Sequence, residues 1–466
     1  MGLFDRRCEP RLAAATLAAI MAIAPAAAQS IEEQPLALTA PTGPAASVPL
    51  ELPATTPIVE ETPSAPIDTR ANPRTERVDG ALRLRSADER DEDEDLGIRA
   101  GRFIIRPTLS QRIVGERSSS TGGTEDRVFS ETQGDIEILS DWSRHALTVL
   151  GSTVHEENLS GDGQTDPSTD INATLRLDLA DETTATLRAG YSFYREDETD
   201  PNALEGATTQ AGVNAFTLGG EVARDLGIIR ASLDLSGERT IFDDVRLSDG
   251  SSLDLGDRDQ TSISLTGRAT YNSGAALAPL VEAELTRSEY DEQFDRNGFE
   301  RSAWSYGLRT GLAIDLGEKW SGEIAAGYAL RDIDDPRLAS VDALTVDGLL
   351  NWSPHRGTDV ALGLITEIES STTPDLPGSV AYRVYSSITH AIRSDIVARL
   401  GGGATLRLYD GSTFGDETIY DASVGLTWRL NRYLDLLADV GYERTTRDGE
   451  DDFDTTYVGM GVSLRR

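Results

Sequence analysis

Apolar and polar residues alternate along most of this chain, from about residue 101 to the C-terminus. Between residues 169 and 179, Ile171 and Leu175 lie on one parity, whereas Asn172 and Asp178 lie on the other. Successive side chains of a β-strand point to opposite faces, so a period of two indicates strands with one apolar and one polar face. The pattern therefore predicts an all-β protein.

The connections between these strands alternate between short and long. Short connections are expected around residues 143, 181–182, 226, 273–274, 317–318, 354–355, 394 and 431. Long connections are expected around residues 115–129, 157–168, 197–207, 241–257, 291–300, 332–339, 370–378, 410–417 and 447–452. Nine long and eight short connections join 18 strands, and we take 16–18 as the expected range.

This alternation is typical of a transmembrane antiparallel up-and-down β-barrel, in which short turns are periplasmic and long loops are external. An even number of strands places both termini on the periplasmic side. Aromatic residues support the barrel, because amphipathic rings favour the two levels of the lipid headgroups. The expected girdle residues share the apolar parity and lie near strand ends: Trp142, Tyr271, Trp304, Trp320, Trp352, Tyr382, Tyr420, Trp428 and Tyr442.

The composition favours lipid as the neighbour of the apolar faces. Only 38% of residues are apolar and 6% are aromatic, and the mean hydropathy is −0.32. A soluble domain of this length needs a denser core, whereas a barrel needs only half of each strand to be apolar. The formal net charge of −36 argues against nucleic acid as a partner, because a nucleic-acid-binding surface must be basic.

Residues 1–28 read as a signal peptide, with basic residues before an apolar stretch and small residues before Gln29. An uncleaved membrane anchor is the alternative, but the stretch is too short to span a bilayer. Because Cys8 lies inside this segment, the mature chain has no cysteine for a disulfide or a thiolate metal site.

Residues 29–99 are expected to form a disordered periplasmic segment, rich in proline and ending in acidic residues. The acidic run from Asp88 to Asp95 could bind calcium or a partner, but a solvated linker is the favoured interpretation, since the run lacks the spacing of a calcium loop. The barrel is expected to occupy residues 100–466.

Charged residues occur on the parity opposite to the apolar one. The candidate pore-lining residues are Arg176, Arg188, Arg268, Arg309, Arg331, Arg399, Arg407, Glu282, Glu323, Asp347, Glu367 and Asp439. A barrel of about 18 strands is wide enough for an aqueous channel, whose charges would select solutes. The alternative is that these side chains only pair with one another and hydrate the wall.

Catalysis and cofactor binding have little support in the sequence. The four histidines, His145, His155, His355 and His390, lack the spacing of a catalytic or metal-binding group, although His155 lies beside two glutamates. The glycine runs lack the lysine and helix of a nucleotide site. We therefore expect neither enzymatic activity nor a metal or cofactor.

Hairpin segments such as 185–191 (ATLRAGY) and 440–444 (VGYER), together with the Gly327-Tyr328 step, resemble the β-barrel porin 2 family of Gram-negative bacteria. The resemblance covers about residues 100–466 and implies an integral outer-membrane protein in contact with lipid and lipopolysaccharide. It also implies that some relatives belong to exopolysaccharide export systems.

Three functions remain open from the sequence. The first is a channel for small hydrophilic solutes. The second is a barrel that exports polysaccharide with periplasmic partners, and the third is a structural or adhesive surface barrel with a blocked lumen.

Overall fold

The computed structural model describes residues 97–466, except for 121–122, 162, 180–181, 197–201, 205, 272–273, 318, 410–414 and 448–451. The predicted signal peptide and nearly all of the predicted disordered segment lie outside the described residues. No helix in the described part of the chain is long and apolar enough to cross a membrane.

Eighteen long strands form the wall and are numbered here in chain order. They are β1 Phe103–Ser120, β2 Gly123–Ser140, β3 His145–Ser160, β4 Ser168–Asp178, β5 Thr183–Arg195, β6 Gly212–Leu226, β7 Ile229–Phe242, β8 Gln260–Tyr271, β9 Leu277–Tyr290, β10 Ala303–Asp315, β11 Trp320–Ile333, β12 Val341–His355, β13 Thr358–Ser370, β14 Gly378–Arg393, β15 Ile396–Leu408, β16 Glu417–Asn431, β17 Leu434–Arg447 and β18 Phe453–Arg465. Two shorter strands, a β-bridge and one 3-10 helix, Gly256–Arg258, lie outside the wall, and a third short strand, Ile98–Ala100, pairs with the start of β1.

Each wall strand pairs antiparallel with its neighbours in sequence, and the first strand pairs with the last. The register of this closing pair runs from Thr108↔Arg465 to Ser119↔Asp454. Closure removes the free edges that an open sheet would expose, which is a requirement for strands that lie in hydrocarbon. The predicted fold class, an antiparallel barrel of 18 strands, is confirmed.

The two ends of the barrel differ in the length of their connections, as predicted. Eight turns lie at one end, here called the short-turn end, and four of them contain only two residues: Gly227-Ile228, Arg356-Gly357, Ser394-Asp395 and Arg432-Tyr433. Gly227 and Gly357 take φ values of +73° and +79°, a conformation that favours glycine. The opposite end, here called the long-loop end, carries the remaining connections.

The long loop predicted at residues 115–129 is wrong. The structure continues β1 to Ser120 and begins β2 at Gly123, and these two residues pair directly. Glu116 binds Arg127 across the hairpin, and Arg117 binds Asp126 at 2.6 Å, so opposite charges stabilise strands that the sequence pattern assigned to a loop.

The outer face of the barrel is apolar and the inner face is polar. On β8, Leu265 is 42% exposed and lies opposite Leu235 and Leu285, whereas the next residue, Thr266, lies opposite Asp234 and Glu284. The predicted girdle residues lie at or near strand ends, and Trp320 stacks on Trp352 with ring centres 5.3 Å apart. Tyr382 instead packs against a buried apolar cluster. An apolar outer band with aromatic ends is the surface that lipid requires.

One pair of neighbouring strands departs from full pairing. The β12–β13 ladder extends only from His355↔Thr358 to Gly348↔Leu364 and stops there, although both strands continue towards the long-loop end. Residues 341–347 and 365–370 form the two sides of this break, which we call the seam.

The two faces of β8 provide a matched test of membrane insertion. Leu265→Arg should destabilise the folded barrel by about 2–4 kcal/mol, because it places a cation near the middle of the lipid-facing band. Thr266→Arg, one residue away, should fold normally, because the new cation faces two inner-wall carboxylates. Folding yield into bilayers and heat-modifiable migration in detergent gels measure the difference. Equal yields for the two variants would contradict the assignment of the faces.

Candidate transport path through the barrel

A chain of ion pairs crosses the inner wall from β8 to β12. Arg268 binds Glu323, with one N–H donating at 3.0 Å, and also contacts Glu282 at 3.5 Å. Arg309 binds the other side of Glu282 and donates to Asp347 at 3.1 Å. The register explains this arrangement, because Arg268 pairs with Glu282 and Glu282 pairs with Arg309. Five of the predicted lining residues are thus brought together.

Two more predicted lining residues lie in charge clusters elsewhere on the wall. Arg407 donates to Glu369 at 2.7 Å and also binds Glu417, and all three side chains are buried. Asp439 accepts from Arg112 at 2.9 Å, and Arg112 is an inner-wall residue that the sequence analysis did not single out. Arg112 shares the polar parity of β1, and this parity is the sequence signal that could have identified it. The register of β1 with β18 then places it beside the inner wall.

Arg188 and Arg176 differ in the partners that their side chains contact. Arg188 reaches across two strands to Asp234 and lies 3.6 Å from Glu221. Arg176 contacts only Asp178 of its own strand, at 3.0 Å, and remains exposed. Arg176 therefore does not join the clusters of the inner wall.

Three predicted lining residues lack a complete set of partners. Arg331 is only 4% exposed, yet the described residues offer it no hydrogen bond or ion pair. Arg399 donates to the Thr427 hydroxyl at 3.0 Å but has no carboxylate within ion-pair distance in the described structure. One carboxylate oxygen of Glu367 is buried without a hydrogen-bond partner. Such groups are costly to bury.

The inner wall therefore contains arginines that pair with carboxylates and arginines that do not, so both arrangements considered from the sequence are present. Most lining arginines are compensated by carboxylates, which hydrates and stiffens the wall. Arg331 and Arg399 form no ion pair with a carboxylate of the described residues, and charges of this kind contribute to the field within a lumen. The role of all twelve candidates in transport remains a prediction.

At the long-loop end, the connection between β5 and β6 reaches across the barrel. Its Asn202 accepts from the backbone N–H of Thr372 at 3.0 Å and donates to the Ser370 carbonyl at 3.4 Å. β5 and β13 are eight strands apart in a ring of 18, so this contact joins almost opposite sides of the wall. The connection therefore restricts the lumen, and no sequence signal assigned this role to it.

Buried arginines anchor the connections around this crossing. Arg258 binds Glu196 at the start of the crossing connection, and their side chains are only 4% and 2% exposed. The same guanidinium lies 4.2 Å from the ring centre of Phe242. Arg301 donates to the carbonyls of Thr373 at 2.8 Å and Leu376 at 2.7 Å. Buried pairs of this kind hold loops in one conformation, since breaking one leaves an uncompensated charge.

Apolar packing supports the same end of the barrel. A buried cluster contains Val213, Phe242, Val245 and Leu255, and Leu204 of the crossing connection packs against it. In the connection after β11, hydrogen bonds from Arg337 hold the pKa of Asp335 well below its usual range, so that this ion pair persists in acid. The long-loop end is thus a packed layer with its own core.

The described residues contain no group of three or more side chains that could hold a metal ion. His145 and His390 make local contacts instead: His145 accepts from the Asp178 backbone N–H at 3.2 Å, and His390 lies 2.8 Å from the Thr358 hydroxyl.

A closed barrel with an apolar outer band, aromatic ends and an ionic inner wall defines the class of integral outer-membrane, porin-like β-barrels. The chain belongs to the family described as "Putative beta-barrel porin 2", whose family model matches residues 93–466. The resemblance found in the sequence is thereby confirmed.

Solved structures and curated proteins were also compared. The chain is similar to three proteins of Pseudomonas aeruginosa, of which OpdK is described as an outer membrane protein. OpdK has 14% identity, covering 78% of this chain and 99% of that chain, with a TM-score of 0.39. OccK2 (OpdF) has 12% identity, covering 78% and 98%, with a TM-score of 0.40. OpdO has 11% identity, covering 80% and 99%, with a TM-score of 0.40. The search of curated proteins found no match.

The buried pair at the crossing connection can be tested by limited proteolysis. Arg258→Gln should leave the Glu196 carboxylate buried without its cation, at a cost of about 3–5 kcal/mol, and should make the chain next to Glu196 more sensitive to protease. Arg296→Gln removes an arginine bound to Asp257 in the same region, where the pair is more exposed and the cost should be about 0–1 kcal/mol. Identical cleavage of the two variants would show that the buried pair does not hold the connection.

Proposed function

We propose that the barrel is a channel through which small hydrophilic solutes cross the outer membrane by diffusion. The observation that carries the proposal is a closed ring of 18 strands whose inner face is lined by charged side chains. A barrel of this size encloses more space than its own side chains fill. The charged lining favours water and polar solutes along the axis.

The crossing connection sets the narrowest part of this path. Asn202 links two nearly opposite sides of the barrel, so a solute must pass beside this residue rather than through an open mouth. Unpaired Arg331 and Arg399 favour solutes that carry negative charge, whereas the surplus of inner-wall carboxylates opposes free passage of anions. We infer modest selectivity that depends on the balance of these charges.

The proposed orientation places the short-turn end and both termini in the periplasm and the long-loop end outside the cell. Short periplasmic turns are the general rule in such barrels. Lipid and lipopolysaccharide are the proposed neighbours of the outer face. No observation on the described residues favours polysaccharide export or adhesion over diffusion.

Planar-bilayer recordings test the channel directly. The purified barrel should conduct ions at low voltage, and Asn202→Ala should raise the conductance of single channels, because it removes the bridge across the lumen. Asn297→Ala, in another connection at the same end, serves as the control, since Asn297 is exposed and takes no part in the bridge. Absence of conductance in all three proteins would contradict the proposal.

Ion selectivity tests the inner wall. Arg309→Gln should shift the reversal potential towards cation selectivity, because Glu282 and Asp347 lose the cation that lies between them. Arg117→Gln removes an exposed arginine beyond the lumen and should leave the reversal potential unchanged. A shift towards anions, or equal shifts in both variants, would contradict the placement of Arg309 along the solute path.

A further inference from the structure

The seam between β12 and β13 is an unusual place in a membrane-spanning wall. Beyond Gly348↔Leu364 the two strands continue for about six further residues without a ladder between them. β12 and β14 instead approach each other directly. Backbone groups facing hydrocarbon must be satisfied, so a break of this length calls for other partners.

Side chains supply those partners. The Thr366 hydroxyl donates to the Val346 carbonyl at 3.0 Å and accepts from the Val346 N–H at 2.8 Å, so it bridges a gap too wide for direct pairing. The Tyr382 hydroxyl donates to the Leu344 carbonyl at 3.1 Å. On the β13 side, the Ser370 carbonyl accepts from Asn202. Contacts of this kind can open and close one by one, unlike a continuous ladder.

Apolar side chains pack within the seam, and the buried carboxylates of Asp347 and Glu369 lie on its inner-wall parity. Val341, Ala343 and Val380 form a buried cluster, and Ile368 and Tyr382 pack against it. On the lipid-facing parity of the same stretch, Leu344 is 64% exposed. A hydrocarbon chain entering from the bilayer would therefore meet Leu344 and then this apolar cluster.

Arg331 lies directly beside the inner side of the seam. It pairs with Val341 in the β11–β12 ladder, and directly opposed residues of an antiparallel pair share one face, so the Arg331 side chain leaves the wall next to that of Val341. As described above, Arg331 is buried and has no hydrogen bond or ion pair among the described residues. A buried cation beside an apolar passage matches a ligand with an acidic head and an apolar chain.

We propose that the seam and Arg331 form a binding site for an amphipathic anion, such as a long-chain carboxylate, which reaches the lumen sideways from the outer leaflet. The acidic head binds the Arg331 guanidinium, and the chain lies between β12 and β13 among Val341, Ala343 and Ile368. Small inorganic anions would gain nothing from the apolar lining, and neutral lipids would gain nothing from the buried cation. The site does not depend on axial conductance and goes beyond the channel proposed above.

The full-length barrel in lipid nanodiscs is the material for the test, with dansylaminoundecanoic acid as a fluorescent amphipathic carboxylate. Binding should be saturable and about tenfold or more weaker in Arg331→Gln, because a charge-assisted hydrogen bond is lost. Arg331→Gln removes an uncompensated buried charge, so it should fold as well as the parent. The control is Arg106→Gln, an inner-wall arginine of β1 that binds Glu137 away from the seam.

A long-chain carboxylate with a terminal diazirine locates the chain. After irradiation, adducts should concentrate on residues 341–346, 366–368 and 380–382 and should decrease in Arg331→Gln. Equal affinity of the Arg331→Gln and Arg106→Gln variants, or adducts spread evenly around the lipid-facing surface, would overturn the proposal. Seam-centred, Arg331-dependent adducts on a barrel that passes no current would contradict the channel alone and support the site.

Discussion

Closure of the sheet is the constraint on which the rest of this structure depends. Hydrocarbon offers no hydrogen bonds, so every backbone N–H and C=O within the membrane must bond to protein. Pairing of β1 with β18 satisfies the two strands that would otherwise be edges. A closed wall of 18 strands then leaves one face of each strand to lipid and the other to the lumen, and the alternation of apolar and polar residues follows from that division.

The seam between β12 and β13 shows how a departure from this constraint is accommodated. Thr366, Tyr382 and Asn202 satisfy backbone groups that a ladder would otherwise satisfy. The same Asn202 bridges the lumen to the β13–β14 connection. The restriction of the lumen and the break in the wall are therefore coupled, since one side chain contributes to both.

The sequence predicts the wall well because its signals are local. The alternation along residues 169–179 and the turn glycine at position 227 each reflect the environment of a single strand or hairpin. The same holds for Trp320 and Trp352, which lie near two different short turns. Residues 115–129 were misassigned because their polar side chains resemble a loop, while Glu116 and Arg127 stabilise strands by pairing with each other. Pairing across a hairpin depends on its register, which composition does not reveal.

The lumen was less predictable, because its contacts join distant parts of the chain. Parity correctly placed Arg268, Glu282 and Arg309 on one face, and their contacts follow once the register is known. Parity does not predict that Arg331 has no ion pair among the described residues. It also does not predict that Asn202 contacts the opposite side of the barrel. Both depend on how connections fold over the long-loop end, where Arg258 and Glu196 are buried together.

The central claim is that one face of every strand meets lipid and the other meets a water-filled lumen. Single cysteines at each position from 171 to 176, introduced with Cys8 replaced by serine, test it most directly in membrane vesicles. A water-soluble, membrane-impermeant maleimide should label positions 172, 174 and 176 and spare 171, 173 and 175. Labelling without a period of two, or with the opposite parity, would contradict the account.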